Sequence, residues 1–328
     1  MDVELRRLIR EHYPFPIAHA HKKTLAFLDD DAHKLKCLIQ AAESAVQFLA
    51  LVMLAQLHHD LEHQQAPALG QRGLQLRDDL RNPSFGKWHG LLRDLLKQYH
   101  AQRHLLVMPE LFEVYFQPGR GSRLAQQPVV QQSIEPLITL RNQFHHPGIP
   151  DALIPEKVAT ATRCLEQLLE RLQFLRAYPL NFVQRIEVRH DGVSVRHFRH
   201  DLVQMQGCFS IFERQRWESD MHLREGRLVL LTSAATGRSL FLDPFFACAE
   251  ELPVPGVFDV FLLNGTEQRR ARFLSAQCGQ ELSTDHPTWA QGAEYIEALG
   301  QFFDLLRRAP TTDTEVELES AGQALSAA

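Results

Sequence analysis

The chain has 328 residues, of which 45% are hydrophobic and 23% are charged. This length suits two domains that each bury a core, and this composition is ordinary for a globular protein. The formal net charge of −5 gives no overall sign of nucleic-acid or membrane binding, although a local basic patch remains compatible with it.

The cysteines and the apolar runs indicate a protein of the cytoplasm. The five cysteines are scattered without zinc or redox spacing, which argues against a disulfide framework and for a reducing compartment. The polar, amphipathic start does not resemble a signal peptide. The longest apolar run, Phe48 to Leu57, is interrupted by Gln56 and is shorter than the roughly 20 residues of a membrane helix. We therefore expect no membrane association.

The first half of the chain has the periodicity of helices. Apolar residues recur at helical spacing, and the dense run around Phe48 favours a helix at the centre of a bundle. Pro136 lies inside the fourth predicted helix, which either kinks there or begins near Ser133. The cluster His19 to Lys23 is expected to form a surface turn. The helices are expected at about 29–59, 84–99, 109–115, 128–145 and 155–176.

After Tyr178 the pattern changes to alternating strands. Asp191-Gly192 between two alternating runs predicts a hairpin, and Asn264-Gly265 is predicted to be a turn between two later strands. A small antiparallel sheet is expected over roughly 181–280. Pro287 is expected to open a helix that covers one face of this sheet.

These patterns predict an α+β protein. An all-helical bundle is expected at 1–178, and an antiparallel β domain with its covering helix at 181–308. Residues 309–328 contain four acidic residues and no Lys or Arg, which predicts a disordered acidic tail.

One stretch in the helical half, Leu140 to Gly148, carries candidate chemistry: LRNQFHHPG. Pro147 disfavours helical geometry at His146, so the helix is expected to end there and the His146 ring can turn back toward Arg141. Arg offers a permanent charge and a planar fork for phosphate oxygens, and His titrates near neutral pH. The alternative is an ordinary helix end, where basic side chains bond free carbonyls.

This stretch resembles the R-x4-6-H motif of HEPN domains. Arg141 and His146 match with four residues between them, and the polar Asn142 follows the arginine as in that family. Pro147 stands between His146 and the glycine, and His145 occupies a place where a small residue is common. The resemblance extends over about residues 1–178, and it consists of the order of the helices and the position of the motif.

The resemblance implies a metal-independent endoribonuclease of a bacterial antiphage or toxin–antitoxin system. Arg141 and His146 would be catalytic, Asn142 and His145 would support them, and no cofactor would be needed. HEPN domains commonly pair, so a homodimer is expected, with RNA as substrate and a protein partner from the same operon. The β domain would then sense a ligand or partner. The alternative is a non-catalytic adapter that docks onto a toxin, kinase or ATPase.

Two other clusters of the chain are candidates for ligand binding. The predicted hairpin carries four arginines, which indicate either nucleic-acid binding or a solvated face: Arg185, Arg189, Arg196 and Arg199. His59 and His63 have a spacing that can hold zinc, but no third ligand is evident and a polar helix end is the favoured interpretation. No metal site is predicted.

Overall fold

A computed structural model describes residues 3–26, 30–118, 124–145, 148–190, 196–231, 239–249, 258–267 and 270–309. Within these ranges, the side chains of residues 70–74, 118, 145, 189, 190 and 196 are not described.

The described part of the chain contains nine α-helices, eight before residue 172 and one near the end. They are α1 (Val3–His12), α2 (Phe15–Thr24), α3 (Asp31–Glu62), α4 (Gly70–Arg81), α5 (Phe85–Gln98), α6 (Glu110–Tyr115), α7 (Glu135–His145), α8 (Ile154–Arg171) and α9 (Gly292–Arg308).

Eleven strands are described, and all their pairings are antiparallel. They are β1 (Phe116–Pro118), β2 (Leu124–Gln126), β3 (Leu180–His190), β4 (Arg196–Gln204), β5 (Glu213–Ser219), β6 (Leu228–Leu231), β7 (Ser239–Phe241), β8 (Phe246–Ala249), β9 (Asp259–Glu267), β10 (Arg270–Ser275) and β11 (Glu281–Ser283). β1 and β2 form a small hairpin. The others form a five-stranded sheet, in the order β5-β4-β3-β6-β7, and a four-stranded sheet, in the order β11-β10-β9-β8.

The α+β class is confirmed: a helical region is followed by antiparallel sheets and a final helix. The expectation of one sheet over 181–280 is wrong, because its strands divide between two sheets. The hairpin of β3 and β4 is confirmed by their pairing, while its turn at Asp191-Gly192 lies outside the described residues.

The central helix α3 organises the helical region. The Asp30 side chain accepts a hydrogen bond from the His33 amide at 2.9 Å, which caps the first turn. α3 is long and apolar enough to cross a membrane by composition, but 83% of its most apolar window is buried inside the protein. It is therefore a core helix.

Some local predictions are corrected by the structure. His19 to Lys23 lie in α2 rather than in a surface turn, and His21 is buried there. Pro136 lies inside a continuous helical stretch, as expected, because a π-helical segment at Val130–Ile134 runs directly into α7. The helices α1 and α4 were not predicted.

The predicted turn at Asn264-Gly265 is also wrong, because both residues lie inside β9. Arg272 pairs with Gly265 and Phe273 pairs with Leu263, so Asn264 is the extra residue of a β-bulge. Gly265 has a φ of +157°, a backbone conformation that favours glycine. The sequence signal of a hairpin turn therefore marks a bulge here.

The apolar core runs from the helices into the sheets without a break. The Phe48 ring of α3 contacts the Phe246 ring of β8 edge-on, with centroids 5.4 Å apart. The buried Gln47 donates from Nε2 to the Leu263 carbonyl of β9 at 2.9 Å. The last helix, α9, packs against β10, α3 and α4, so α3 is in contact with both the bundle and the C-terminal elements.

Candidate functional site

Arg141 lies in the last turns of α7, which packs against α3 and α8. Its side chain is 28% exposed, and its Nε lies 3.7 Å from Glu43 Oε2 of α3. This distance makes an ion pair but exceeds that of a good hydrogen bond. The Nε atom is buried and has no hydrogen-bond partner among the described residues. The guanidinium is therefore held beside Glu43 mainly by charge.

Glu43 connects three helices at this point. Burial raises the pKa of the Glu43 carboxyl, and the Arg141 charge and a hydrogen bond from the Phe85 backbone lower it in part. The Phe85 amide is the first of α5, whose N-terminus has no side-chain cap from Ser84. Glu43 thus serves both the α5 terminus and Arg141, so a structural role accounts for part of this arrangement.

The other predicted residues of the motif are placed only in part. Asn142 follows Arg141 on α7 and is exposed. His145 is the last residue of α7, and its side chain is not described. His146 lies outside the described residues, so no distance joins it to Arg141. The structure brings Arg141 to the end of α7, as the sequence predicts, and leaves the Arg141–His146 contact as a prediction.

A cavity of about 240 Å³ adjoins the Arg141–Glu43 pair, because Glu43 also lines it. It lies between α2, α3 and the strands β9 and β10. Lys23 of α2 also lines this cavity, and burial lowers the pKa of its side chain. α3, otherwise mostly apolar, contributes a stripe of polar side chains to this cavity: Gln40, Glu43, Ser44 and Gln47. The sequence prediction missed Glu43 and this stripe, although polar residues at helical spacing within an apolar helix are a usable signal.

The arginine-rich hairpin carries compensating carboxylates. Arg185 lies 3.4 Å from Glu187, and Arg199 of the neighbouring strand lies 3.7 Å from the same carboxylate. Asp201, opposite Arg185 in the pairing of β3 with β4, is 3.4 Å from Arg216 of β5. These ion pairs, two of which join neighbouring strands, favour a solvated, ion-paired face.

Nucleic-acid binding by this hairpin stays a prediction. The side chains of Arg189 and Arg196 lie outside the described residues, so their charges are not placed.

The histidine pair at the end of α3 makes local contacts. His63 Nδ1 lies 2.7 Å from the His59 carbonyl oxygen, and the two rings lie 4.2 Å apart. In the part of the chain that the structure describes, no group of three or more His, Cys, Asp or Glu could hold a metal ion.

Comparison of the chain with protein-family models, curated proteins and solved structures found no match to any of them. The functional interpretation of the site therefore depends on its residues and their geometry.

Proposed function

We propose that the chain is a metal-independent endoribonuclease of the HEPN type, with Arg141 and His146 as its catalytic residues. The observation that carries the proposal is the state of Arg141, a partly exposed guanidinium held by one long ion pair. Its buried Nε lacks a hydrogen-bond partner among the described residues. A partly exposed guanidinium near the end of a helix is suited to bind a phosphate.

The proposed reaction needs only proton transfer and charge neutralisation. The 2′-hydroxyl of the RNA attacks the adjacent phosphorus, which forms a 2′,3′-cyclic phosphate and releases the 5′-oxygen of the next nucleotide. Arg141 neutralises the charge that grows on the phosphorane oxygens. His146 removes the 2′ proton or supplies a proton to the leaving oxygen. Asn142, exposed beside Arg141 on α7, and His145 at its end support substrate binding in this proposal.

The wider proposal follows from the same resemblance. Two copies would pair through their helical regions so that the motifs face each other, and the C-terminal sheets would sense a ligand or a protein partner. A role in bacterial defence, with a partner from the same operon, belongs to this proposal.

Expression of the chain in growing cells tests the proposal. We expect growth arrest with the wild-type chain and none with Arg141→Ala or His146→Ala. Gln143→Ala is the matched control, because Gln143 is exposed on the same helix and has no proposed role. All variants must accumulate to the same level. Arrest by both motif variants would overturn the proposal.

A second candidate is the non-catalytic adapter that docks onto a toxin, kinase or ATPase. It is favoured by one observation, the intramolecular ion pair of Arg141 with Glu43. In that proposal, Arg141 joins α7 to α3 and contacts no substrate. Unchanged partner capture by Arg141→Lys and His146→Ala would support it.

A further inference from the structure

A cavity with polar walls lies where α2 and α3 meet the four-stranded sheet. It has a volume of about 240 Å³, it is lined by residues of α2, α3, β9 and β10, and it is called the α2–α3 cavity below. This volume equals that of roughly eight water molecules at about 30 Å³ each. It is slightly smaller than the roughly 300–1,000 Å³ of a site for a drug-sized ligand. The α2–α3 cavity therefore suits a compact ligand of the size of an amino acid.

Lys23 brings a positive charge to the α2–α3 cavity. Its side chain is half-buried, and burial lowers the pKa of its ammonium group, although Asp259 and two cysteines oppose this shift. None of the described carboxylates lies within ion-pair distance of its Nζ atom. A charge that has lost part of its hydration without gaining a partner is costly. The ammonium of Lys23 therefore favours an anionic group on a ligand.

Glu43 brings the opposite charge to the same cavity from α3. Its Oε2 atom lies 3.7 Å from Arg141, which is too long for a good hydrogen bond. A carboxylate has about four acceptor positions, so Glu43 can still accept from an ammonium group of a ligand. A cation on α2 and an anion on α3 together fit a small zwitterion, whose carboxylate contacts Lys23 and whose ammonium contacts Glu43.

The α2–α3 cavity also presents neutral polar groups. The Ser44 hydroxyl and the amides of Gln40 and Asn264 line it, and they make no hydrogen bond to any described residue. Asn264 is the extra residue of the bulge in β9, and bulges commonly re-aim a side chain beside a functional site. Gln47 is 5% exposed and uses its Nε2 atom to bond the Leu263 carbonyl, while its Oε1 atom accepts from no described group. These hydroxyl and amide groups fit a ligand that carries a hydroxyl or an amide of its own.

We propose that the α2–α3 cavity binds a free amino acid with an uncharged polar side chain. The opposite charges of Lys23 and Glu43 select a zwitterion, and the neutral polar groups select its side chain. The ligand would lie between the helical region and the four-stranded sheet. Binding requires neither RNA cleavage nor a contact between Arg141 and His146, so it is tested separately from the proposed function.

Isothermal titration calorimetry of the purified chain tests the proposal, with L-glutamine, L-asparagine and L-serine at millimolar concentrations as probes. We expect at least one of them to bind at one site per chain. L-leucine, which has no polar group in its side chain, is expected to bind at least about tenfold more weakly. Absence of binding by all three polar amino acids, or equal binding of L-leucine, would overturn the proposal.

Two derivatives of the amino acid that binds test the two charged contacts on the wild-type chain. In one derivative a neutral amide replaces the α-carboxylate, and in the other a hydrogen replaces the α-ammonium. Each is expected to bind about tenfold or more weakly, because each loses a charge-assisted hydrogen bond. Unchanged affinity of the derivative without the ammonium would overturn the proposal and would assign the cavity to a simple organic acid.

Lys23→Met removes the cation from the cavity and is expected to weaken binding about tenfold or more. Lys22→Met is the matched control, because Lys22 is the preceding residue of α2, is exposed and lies outside the cavity lining. It is expected to bind as the wild-type chain does, and circular dichroism should show the same helix content in both variants. Equal affinities of the two variants would overturn the proposal. The derivatives test the same contact on the wild-type chain, so the outcome does not depend on how Lys23→Met folds.

Discussion

At the scale of single residues, the central feature of the candidate site is the ion pair between Arg141 and Glu43. Arg141 was predicted from a short motif, because the proline after His146 and the spacing of the motif are local features. Glu43 was not predicted, because its 3.7 Å approach to Arg141 depends on how α7 packs on α3. A partner that is remote in sequence leaves no local signal, so the site could be predicted only in part.

Asp259 is a second residue whose properties come from packing. It is 1% exposed, and it accepts hydrogen bonds from the Val260 amide at 2.8 Å, the Gln277 amide at 3.2 Å and the Ser275 hydroxyl. Burial raises its pKa to about 6, although these hydrogen bonds and the Lys23 charge lower it in part. The carboxyl is therefore more easily protonated in the folded protein than in the unfolded chain.

We predict that ionisation of Asp259 lowers the stability of the wild-type chain relative to Asp259→Asn as the pH rises from about 4 to about 6, because the folded protein binds the Asp259 proton more tightly than the unfolded chain. The effect attributable to Asp259 is up to ~3 kcal/mol in the free energy of unfolding. Urea denaturation at several pH values measures it, with Asp259→Asn as the control that lacks this titration. Identical pH dependence in both proteins would contradict the prediction.

At the scale of elements, local sequence patterns correctly predicted most of the long helices but mis-assigned the pair Asn264-Gly265. Asp30 caps α3 as its side chain predicts. The pair Asn264-Gly265 predicted a turn, but the strand continues through a bulge because β10 pairs on both sides of Asn264. Whether an Asn-Gly pair ends a strand depends on the partner strand, which the local sequence does not contain.

Two glycines of α9 provide a matched test of close packing. Gly292 begins the helix, and a Cβ there would lie 2.1 Å from the Thr284 carbonyl oxygen. A Cβ at Gly300 would meet no atom within 4 Å.

We predict that Gly292→Ala lowers the free energy of unfolding by ~2 kcal/mol, because backbone must move to admit the methyl group. Gly300→Ala is predicted to raise it by ~0.5–1 kcal/mol, the gain in helix propensity. Thermal and urea denaturation measure both. A stabilising Gly292→Ala would show that the start of α9 is not packed against Thr284.

At the scale of the whole molecule, α3 joins the helical region to the sheets. The dense apolar run around Phe48 predicted a central helix, but not that its neighbours would include β8 and β9. The periodicity of apolar residues identifies which face of a helix is buried, but it does not identify the elements that pack against that face. The division into two domains at 1–178 and 181–308 stays a prediction. The helical region and the sheets share one continuous apolar core, which couples their unfolding.

We predict that Phe48→Ala destabilises both regions together. The Phe48 side chain is fully buried between α3 and β8, so its removal is expected to cost ~3–5 kcal/mol. Hydrogen exchange is expected to show lower protection in α5 and in β9 to the same extent. Val188→Ala, at a 52% exposed position, is the control and should change neither. Lower protection confined to the helices would contradict a shared core.

The proposal that Arg141 and His146 cleave RNA without a metal can be tested with the purified chain, end-labelled RNA and excess EDTA. We predict cleavage by the wild-type chain and by Gln143→Ala, with products ending in 2′,3′-cyclic phosphate. Loss of one charge-stabilising or proton-transfer group is predicted to slow cleavage by ~10²–10³-fold in Arg141→Ala and His146→Ala. Circular dichroism should show that both variants fold. Absence of cleavage by the wild-type chain, or equal rates in folded variants, would rule out this proposal.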